Sequence, residues 1–318
     1  MRAPALAFLV LTGCLSFGAP PKFEKVSDHC YFLPLNGGAE NIFAVVTDEG
    51  TLIVDPPSEP GLSVTMEALK RLNAKAVRWV TFSNPRSADS AGARFFAEQG
   101  AALLGGSQLR TLAASIPGAD QKGPAARGGT PEDLSSFPWM IFDRQIHLFP
   151  ANLEVRILAL QHRARTGGDV FVFLPAEKVL FVGGLCEAGR YPEIDSGAQG
   201  NAGEWIDGLK QVVDSIPVLK PAIQPQVKVD PTKALPEKTL EEGIVVVSAR
   251  GEASNFQNMK DLLSACQKLR TDISKAVKSG RSCENFLSSS RADLYRVYEN
   301  FDAYGAQLCE SLSAAPDK

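Results

Sequence analysis

The stretch at residues 84–92 contains two hydroxyls, a carboxylate and a guanidinium, all side chains that could take part in chemistry. Ser87 and Ser90 would act as nucleophiles only beside a general base. The chain has 3 histidines, and His162 is the one whose position makes it a candidate base. The sequence contains no G-x-S-x-G motif, whose sharp turn exposes a nucleophilic serine. Serine hydrolysis is therefore disfavoured.

Alternating strands and helices must position this stretch. Two apolar runs flank a turn and predict a β-hairpin, and the later segments alternate between helical spacing and short apolar runs. The predicted elements of the first half are a hairpin over 41–46 and 50–55, a helix over 65–72, a buried strand over 77–82, a helix over 91–100 and a strand over 101–105.

The second half repeats the arrangement of a polar turn beside a buried strand. Residues 163–169 precede an apolar run at 170–175, and residues 179–185 form another run that ends in Gly-Gly-Leu. A Pro-Gln-Val-Lys segment follows at 225–228. Each turn lies at a strand end, where side chains from separate segments can meet.

These segments, in this order, resemble the metallo-β-lactamase-fold hydrolases over roughly residues 23–230. The loop at 84–92 aligns with the family's T-H-x-H-x-D-H-x-G motif, and residues 164–169 align with A-H-T-x-G-D. Residues 183–185 stand where the family has G-D-L, and residues 225–228 stand where it has P-G-H-G.

The resemblance identifies the positions that bind metal in the family, and most of them cannot bind metal here. Zinc takes N, S or O donors at about 2.0–2.3 Å, and a single carboxylate cannot hold it alone. Only Asp89 keeps its metal-binding side chain, so we expect no zinc, no other cofactor and no catalytic residue. The former ligand positions are Pro85, Ser87, Asp89, Ser90, Arg165, Gly184 and Val227.

The resemblance implies an α/β fold, the αββα four-layer sandwich of the metallo-β-lactamase type, over residues 20–252. Residues 253–318 are predicted to form a C-terminal helical extension. Loops are predicted at 118–136 and 187–203, with a connector at 231–241, while the apolar run at 244–247 has no assigned place. Two helical stripes mark the extension: Met259, Leu263, Cys266, Ile273 and Val277, then Leu294, Val297, Phe301, Tyr304 and Leu308.

The first residues predict export. Arg2 precedes a short apolar run, too short for a membrane span of about 20 residues but typical of a signal peptide over 1–19. Either Cys14 is lipidated, because the sequence before it resembles a lipobox, or cleavage occurs near Gly18 or Ala19. The protein is then periplasmic, secreted or anchored to the cell envelope, and the membrane is a partner only through Cys14.

Export permits disulfides. Without Cys14 five cysteines remain, an odd number, so at least one is free or pairs between molecules. If the two C-terminal helices form a simple hairpin, Cys266 and Cys309 lie about 20 Å apart, well beyond the ~7 Å that a disulfide allows. Pairing them would require a break in the second helix, near residues 288–290.

Charge and composition exclude some partners. The chain carries 33 Lys and Arg against 36 Asp and Glu, a net charge of −3, which argues against a nucleic-acid surface. A hydrophobic content of 44% permits a sizeable core.

Arginines near the former metal site offer another kind of chemistry. Arg86, Arg163 and Arg165 would bring fixed positive charge, and a guanidinium binds carboxylate or phosphate in a bidentate manner. Alternatively, Arg165 pairs with Asp89 and fills the space. His162 lies three residues before Arg165 and could turn into the same pocket.

Three functions follow from these observations. The first is an exported, non-catalytic protein that binds a small anion or a protein partner. The second is a hydrolase on the same scaffold with atypical or metal-independent chemistry. The third is an interaction module that acts through its C-terminal helices.

Overall fold

The computed structural model describes residues 21–89, 91–113, 137–216 and 243–314. This part of the chain contains two β-sheets and seven α-helices. The predicted signal peptide with Cys14, the loop at 118–136 and the connector at 231–241 lie outside it. None of the described helices is long and apolar enough to span a membrane.

The first sheet has seven strands in chain order. The first four strands are antiparallel, and the last four run parallel to one another. The strands are β1 (Glu24–Lys25), β2 (Cys30–Leu35), β3 (Glu40–Thr47), β4 (Gly50–Val54), β5 (Val77–Thr81), β6 (Ala102–Gly106) and β7 (Trp139–Phe142).

The second sheet has six strands in the order β13-β12-β11-β10-β9-β8. Its strands are antiparallel except for β12, which runs parallel to β11. The strands are β8 (Gln145–Leu148), β9 (Val155–Ala159), β10 (Val170–Leu174), β11 (Val179–Gly183), β12 (Val245–Ser248) and β13 (Ser254–Asn255). The unplaced apolar run at 244–247 therefore lies beside the centre of this sheet.

Helices cover the outer faces of both sheets. The first three pack with the first sheet, and the others join the core on the far side of the second sheet. They are α1 (Gly61–Arg71), α2 (Ala91–Glu98), α3 (Ser107–Ala113), α4 (Ala202–Ser215), α5 (Phe256–Lys278), α6 (Cys283–Leu287) and α7 (Phe301–Ala314). The layers confirm the predicted αββα sandwich.

Strand β10 shows how the sequence builds these layers. All five of its residues are buried. Successive strand residues point to opposite faces, so Val170, Val172 and Leu174 pack in the core shared with the first sheet. Phe171 and Phe173 pack against the helices instead. A strand covered on both faces is therefore a continuous apolar run.

The C-terminal helices differ from the prediction in one respect. Phe301, Tyr304 and Leu308 are buried on α7, whereas Leu294 and Val297 are 68% and 75% exposed. The predicted stripe combined two pieces, because a short 3₁₀ helix at Ala292–Tyr295 separates α6 from α7. Val277, at the end of α5, is also exposed. The division between residues 252 and 253 stays a prediction.

Candidate functional site

The site lies where β4 and β5 end. The two strands are parallel, so their carboxyl ends reach the same edge of the first sheet. Asp55 follows β4 directly, and residues 83–87 follow β5. The sequence thus places a carboxylate beside the loop that carries the former metal-ligand positions.

Asp55 is the polar centre of this edge. It is 8% exposed and has a φ of 55°, a left-handed conformation that Asp tolerates better than most residues. Its Oδ1 accepts a hydrogen bond from the Ser83 backbone N–H at 2.7 Å, and its Oδ2 accepts one from the Ser83 hydroxyl. Burial raises the pKa of Asp55, although hydrogen bonds from Ser83 and Ser87 and the charge of Arg165 oppose this rise.

Ser87 lies in the same network. The Asn84 side-chain amide donates to the Ser87 hydroxyl at 2.9 Å and to the Ser83 hydroxyl at 3.1 Å. The Asn84 side-chain oxygen accepts the Arg86 backbone N–H at 3.0 Å, which holds the loop in a tight turn. These contacts direct Ser87 toward Asp55.

Arg165 occupies space beside Gly184. A Cβ atom built on Gly184 would lie 2.9 Å from Nε, 3.1 Å from Cδ and 3.2 Å from Cζ of Arg165. Only a residue without a side chain lets the guanidinium take this position. The two replacements therefore depend on each other: Gly at 184 leaves room for Arg at 165.

Arg86 is held by Asp195. Its Nε and Nη2 both donate to the Asp195 carboxylate, the second at 3.0 Å. The Arg86 guanidinium holds the pKa of Asp195 below its ordinary value. Because Asp195 also accepts the Ala198 backbone N–H at 3.0 Å, it fixes the loop at 187–201 against residue 86.

A cavity of about 380 Å³ opens over these residues. Arg165 and Arg86 contribute positive charge to its wall, and three acidic residues contribute negative charge. Its lining consists of Asn36, Glu40, Asp55, Pro56, Pro57, Ser58, Glu59, Pro60, Gly61, Asn84, Arg86, Ser87 and Arg165.

A polar turn formed by Thr166 and Asp169 follows Arg165 in the chain. Asp169 is 3% exposed and accepts hydrogen bonds from the Thr166 backbone N–H and hydroxyl, both at 2.7 Å. Burial raises the pKa of Asp169 to about 6. Pro85 is buried, and its Cγ lies 3.1 Å from a Cβ atom built on Gly168. Pro85 therefore fills space and offers no donor to the cavity.

Solved structures share the fold of this chain, although no protein-family profile and no curated protein sequence matches it. A metallo-β-lactamase from Pontibacter korlensis superposes with a TM-score of 0.54 at 17% identity, over 78% of this chain and 99% of its own. The mono-zinc form of FIM-1, a metallo-β-lactamase from Pseudomonas aeruginosa, gives 0.55 at 14% identity, over 79% and 96%. A double mutant of the sec-alkyl sulfatase PisA1 gives 0.59 at 11% identity, over 84% of this chain and 45% of its own.

The chain has the metallo-β-lactamase fold.

The predicted site residues divide into three groups within this fold. Ser87, Arg86 and Arg165 line the cavity, with Gly184 directly beside Arg165. The other two predicted pocket residues lie away from it. The Asp89 side chain, Ser90 and Val227 are outside the described residues, so the predicted pairing of Asp89 with Arg165 stays a prediction.

His162 and Arg163 do not reach the cavity. Arg163 is exposed and bonds Glu204, the third residue of α4, through its backbone N–H and its guanidinium. The Cβ of His162 packs over Gly208 in the same helix. Both residues contact α4 and neither lines this cavity, so their approach to the former metal site stays a prediction.

The donor set present at this site does not fit zinc. Pro85 and Gly184 supply no donor, and Arg165 brings a cation to the place of a ligand. Both Asp55 oxygens already accept hydrogen bonds from Ser83. Among the described residues, no group of three or more His, Cys, Asp or Glu side chains is arranged to hold a metal ion.

Three acidic residues of the cavity, Asp55, Glu40 and Glu59, were not identified from the sequence. Asp55 ends the predicted hairpin, and that position was a usable signal, because strand ends of α/β sheets often carry functional side chains. Glu40 begins β3, and no motif marks it.

Proposed function

We propose that this protein is an exported, non-catalytic member of the metallo-β-lactamase fold that binds a small anion in its former metal pocket. Arg165 is the residue that binds the anion in this proposal. Its guanidinium takes over the positive charge that a metal ion supplies in hydrolases of this fold.

The observation that carries the proposal is an unengaged guanidinium in a cavity. Arg165 lines the cavity, and the described residues make no hydrogen bond or ion pair with its guanidinium, although its charge acts on Asp55, Asp169 and Asp195. A guanidinium has five N–H donors in a fixed fork that matches carboxylate, phosphate or sulfate. Arg86 also faces the cavity, but its charge is already paired with the Asp195 carboxylate through Nε and Nη2.

Export is supported by a disulfide in the C-terminal helices. Cys283 and Cys309 are bonded, with their Cα atoms 5.9 Å apart. Disulfides persist in exported proteins and are rare in reducing compartments. The intact mass of the mature protein tests export: loss of the first residues, with or without a lipid on Cys14, agrees with it, and retention of Met1 in cytoplasmic material contradicts it.

Calorimetric titration tests anion binding. The mature protein is titrated with acetate, phosphate and sulfate, together with Arg165→Gln and Arg163→Gln variants. The second variant removes an arginine that is close in sequence but bonded to Glu204 outside the cavity. Binding that is lost in R165Q and kept in R163Q supports the proposal, and equal loss in both variants contradicts it.

One observation favours a second candidate, metal-independent hydrolysis. Ser87 lines the same cavity as Asp55, and burial raises the pKa of Asp55 toward the range that suits a general base. A fluorophosphonate probe that labels Ser87, with labelling abolished in Asp55→Asn, would support this candidate. Absence of labelling would leave the binding proposal as the sole function.

A further inference from the structure

We infer that the ligand of this pocket is a small zwitterion, whose anionic group binds Arg165 and whose ammonium group binds Glu40. The inference rests on the proposed anion site and adds a second recognition element in the lining of the same cavity. It follows from which charged groups of the cavity are already engaged and which are not.

Glu40 is an unengaged carboxylate. It is the first residue of β3, half-buried, and it lines the cavity. The described residues give its carboxylate no hydrogen bond and no ion pair. Burial and the nearby charge of Asp55 raise the pKa of Glu40, so the site disfavours its negative charge. A cation next to Glu40 would relieve both effects.

The other charged groups of the cavity are engaged. Both carboxylate oxygens of Glu59 accept the Ser63 hydroxyl at 2.9 Å. Asp55 is bonded to Ser83, and Arg86 is bonded to Asp195. One cation, Arg165, and one anion, Glu40, are therefore left to bind a ligand.

This charge pattern argues against a simple anion as the complete ligand. An anion large enough to extend from Arg165 across the cavity would approach Glu40 and Asp55, which repel it. A ligand with an ammonium group at its other end turns this repulsion into a charge-assisted hydrogen bond.

The cavity also limits the size and character of the ligand. Its volume of about 380 Å³ is at the small end of the ~300–1,000 Å³ typical of ligand pockets. Pro56, Pro57 and Pro60 supply an apolar wall, which suits a short aliphatic segment between the two charges. ω-Amino acids have this structure, a carboxylate and an ammonium group joined by a short aliphatic chain.

The test compares matched ligands on the mature protein by calorimetric titration at pH 7. Glycine, β-alanine, 4-aminobutyrate and 6-aminohexanoate are each compared with the carboxylate of the same carbon skeleton that lacks the amine. We expect at least one amino acid to bind about tenfold more tightly than its partner, the contribution of one charge-assisted hydrogen bond. Glu40→Gln should abolish this preference without weakening carboxylate binding, because it also removes a negative charge that repels the carboxylate.

Glu59→Gln is the matched control, because it removes the same charge from the same cavity at a carboxylate already bonded to Ser63. Equal loss of preference in E59Q and E40Q would overturn the inference, since it would indicate a diffuse electrostatic effect. Equal affinity of wild-type protein for both members of every pair would also overturn it, while the anion site stands. If no ligand binds, the proposed function fails as well. The wild-type comparison decides the question even if E40Q does not fold.

Discussion

Arg165 and Gly184 are the residues in which this protein departs most clearly from a metal-binding site. The guanidinium lies where any side chain at 184 would project. An aspartate at 184 and an arginine at 165 would therefore exclude each other in these positions. We interpret the pair as a coordinated replacement of a cation by a cationic side chain.

Substitution of Gly184 should affect the site more than the fold. The three atoms that a Cβ at 184 would contact first all belong to the flexible Arg165 side chain, which can move. We expect Gly184→Ala to lower the free energy of unfolding by about 0.5 kcal/mol and to weaken anion binding.

Gly200→Ala is the matched comparison. A Cβ at 200 would collide with the backbone oxygen of Arg165, which cannot move freely. We expect a loss of about 2–3 kcal/mol in denaturant unfolding, as for overpacked interiors. Similar losses in the two variants would show that Arg165 does not lie against Gly184.

Asp169 should make stability depend on pH. Its pKa is raised to about 6 in the folded state, so the folded protein binds a proton that the unfolded chain releases near pH 4. The protonated Asp169 side chain therefore stabilises the fold fully below about pH 4. This contribution to the free energy of unfolding, about 3 kcal/mol in total, is lost as the pH rises through 6.

Asp169→Asn removes this titrating group. It can keep both contacts with Thr166, because the amide oxygen accepts the Thr166 backbone N–H and the Thr166 hydroxyl can accept from the amide nitrogen. We expect the unfolding free energy of D169N to rise relative to wild type by about 3 kcal/mol between pH 4 and pH 7. Denaturant unfolding across this range measures the difference. A difference that does not change with pH would contradict the raised pKa.

At the scale of elements, a disulfide completes the C-terminal helices. It joins Cys283 in α6 to Cys309 in α7, across the 3₁₀ segment that interrupts the second helical region. From the sequence, Cys266 was the partner considered for Cys309. Cys266 is instead a buried free thiol. The second helical region is nonetheless interrupted, by the 3₁₀ helix at Ala292–Tyr295, and Cys283 lies within reach of Cys309.

Removal of this disulfide should cost measurable stability. The bond closes a loop with a sequence separation of 26 residues, for which the chain-entropy estimate is about 3–4 kcal/mol. We expect a Cys283→Ala, Cys309→Ala double variant to lose this amount in denaturant unfolding. Reductant should destabilise the wild type and leave the double variant unchanged. A double variant as stable as oxidised wild type would refute a stabilising role.

At the scale of the whole molecule, the layers of the sandwich could be predicted from the sequence, whereas the residues of the pocket could be predicted only in part. Strands such as β10 are apolar runs covered on both faces, and this local pattern determines where they lie in the sandwich. Strand β12 could not be placed, because its partner β11 lies more than sixty residues earlier in the chain and pairing at that distance leaves no local signal.

Pocket residues could likewise be predicted only where a local sequence signal marks them. Arg165 was found because a motif marks its position, although its contact with Gly184 depends on tertiary packing. Asp55 has a sequence signal in its position at a strand end, whereas Glu40 has none, and the burial of both depends on how separate loops meet. Leu294 and Val297 have helical spacing, but a change of helix type exposes them.

The central claim is that a guanidinium has replaced the metal ion. The most direct test is elemental analysis of the purified mature protein after incubation with excess zinc and dialysis. We predict far less than one zinc ion per chain, because the donor set at the site is incomplete. About one or two zinc ions per chain, as a metallohydrolase site would retain, would contradict the claim.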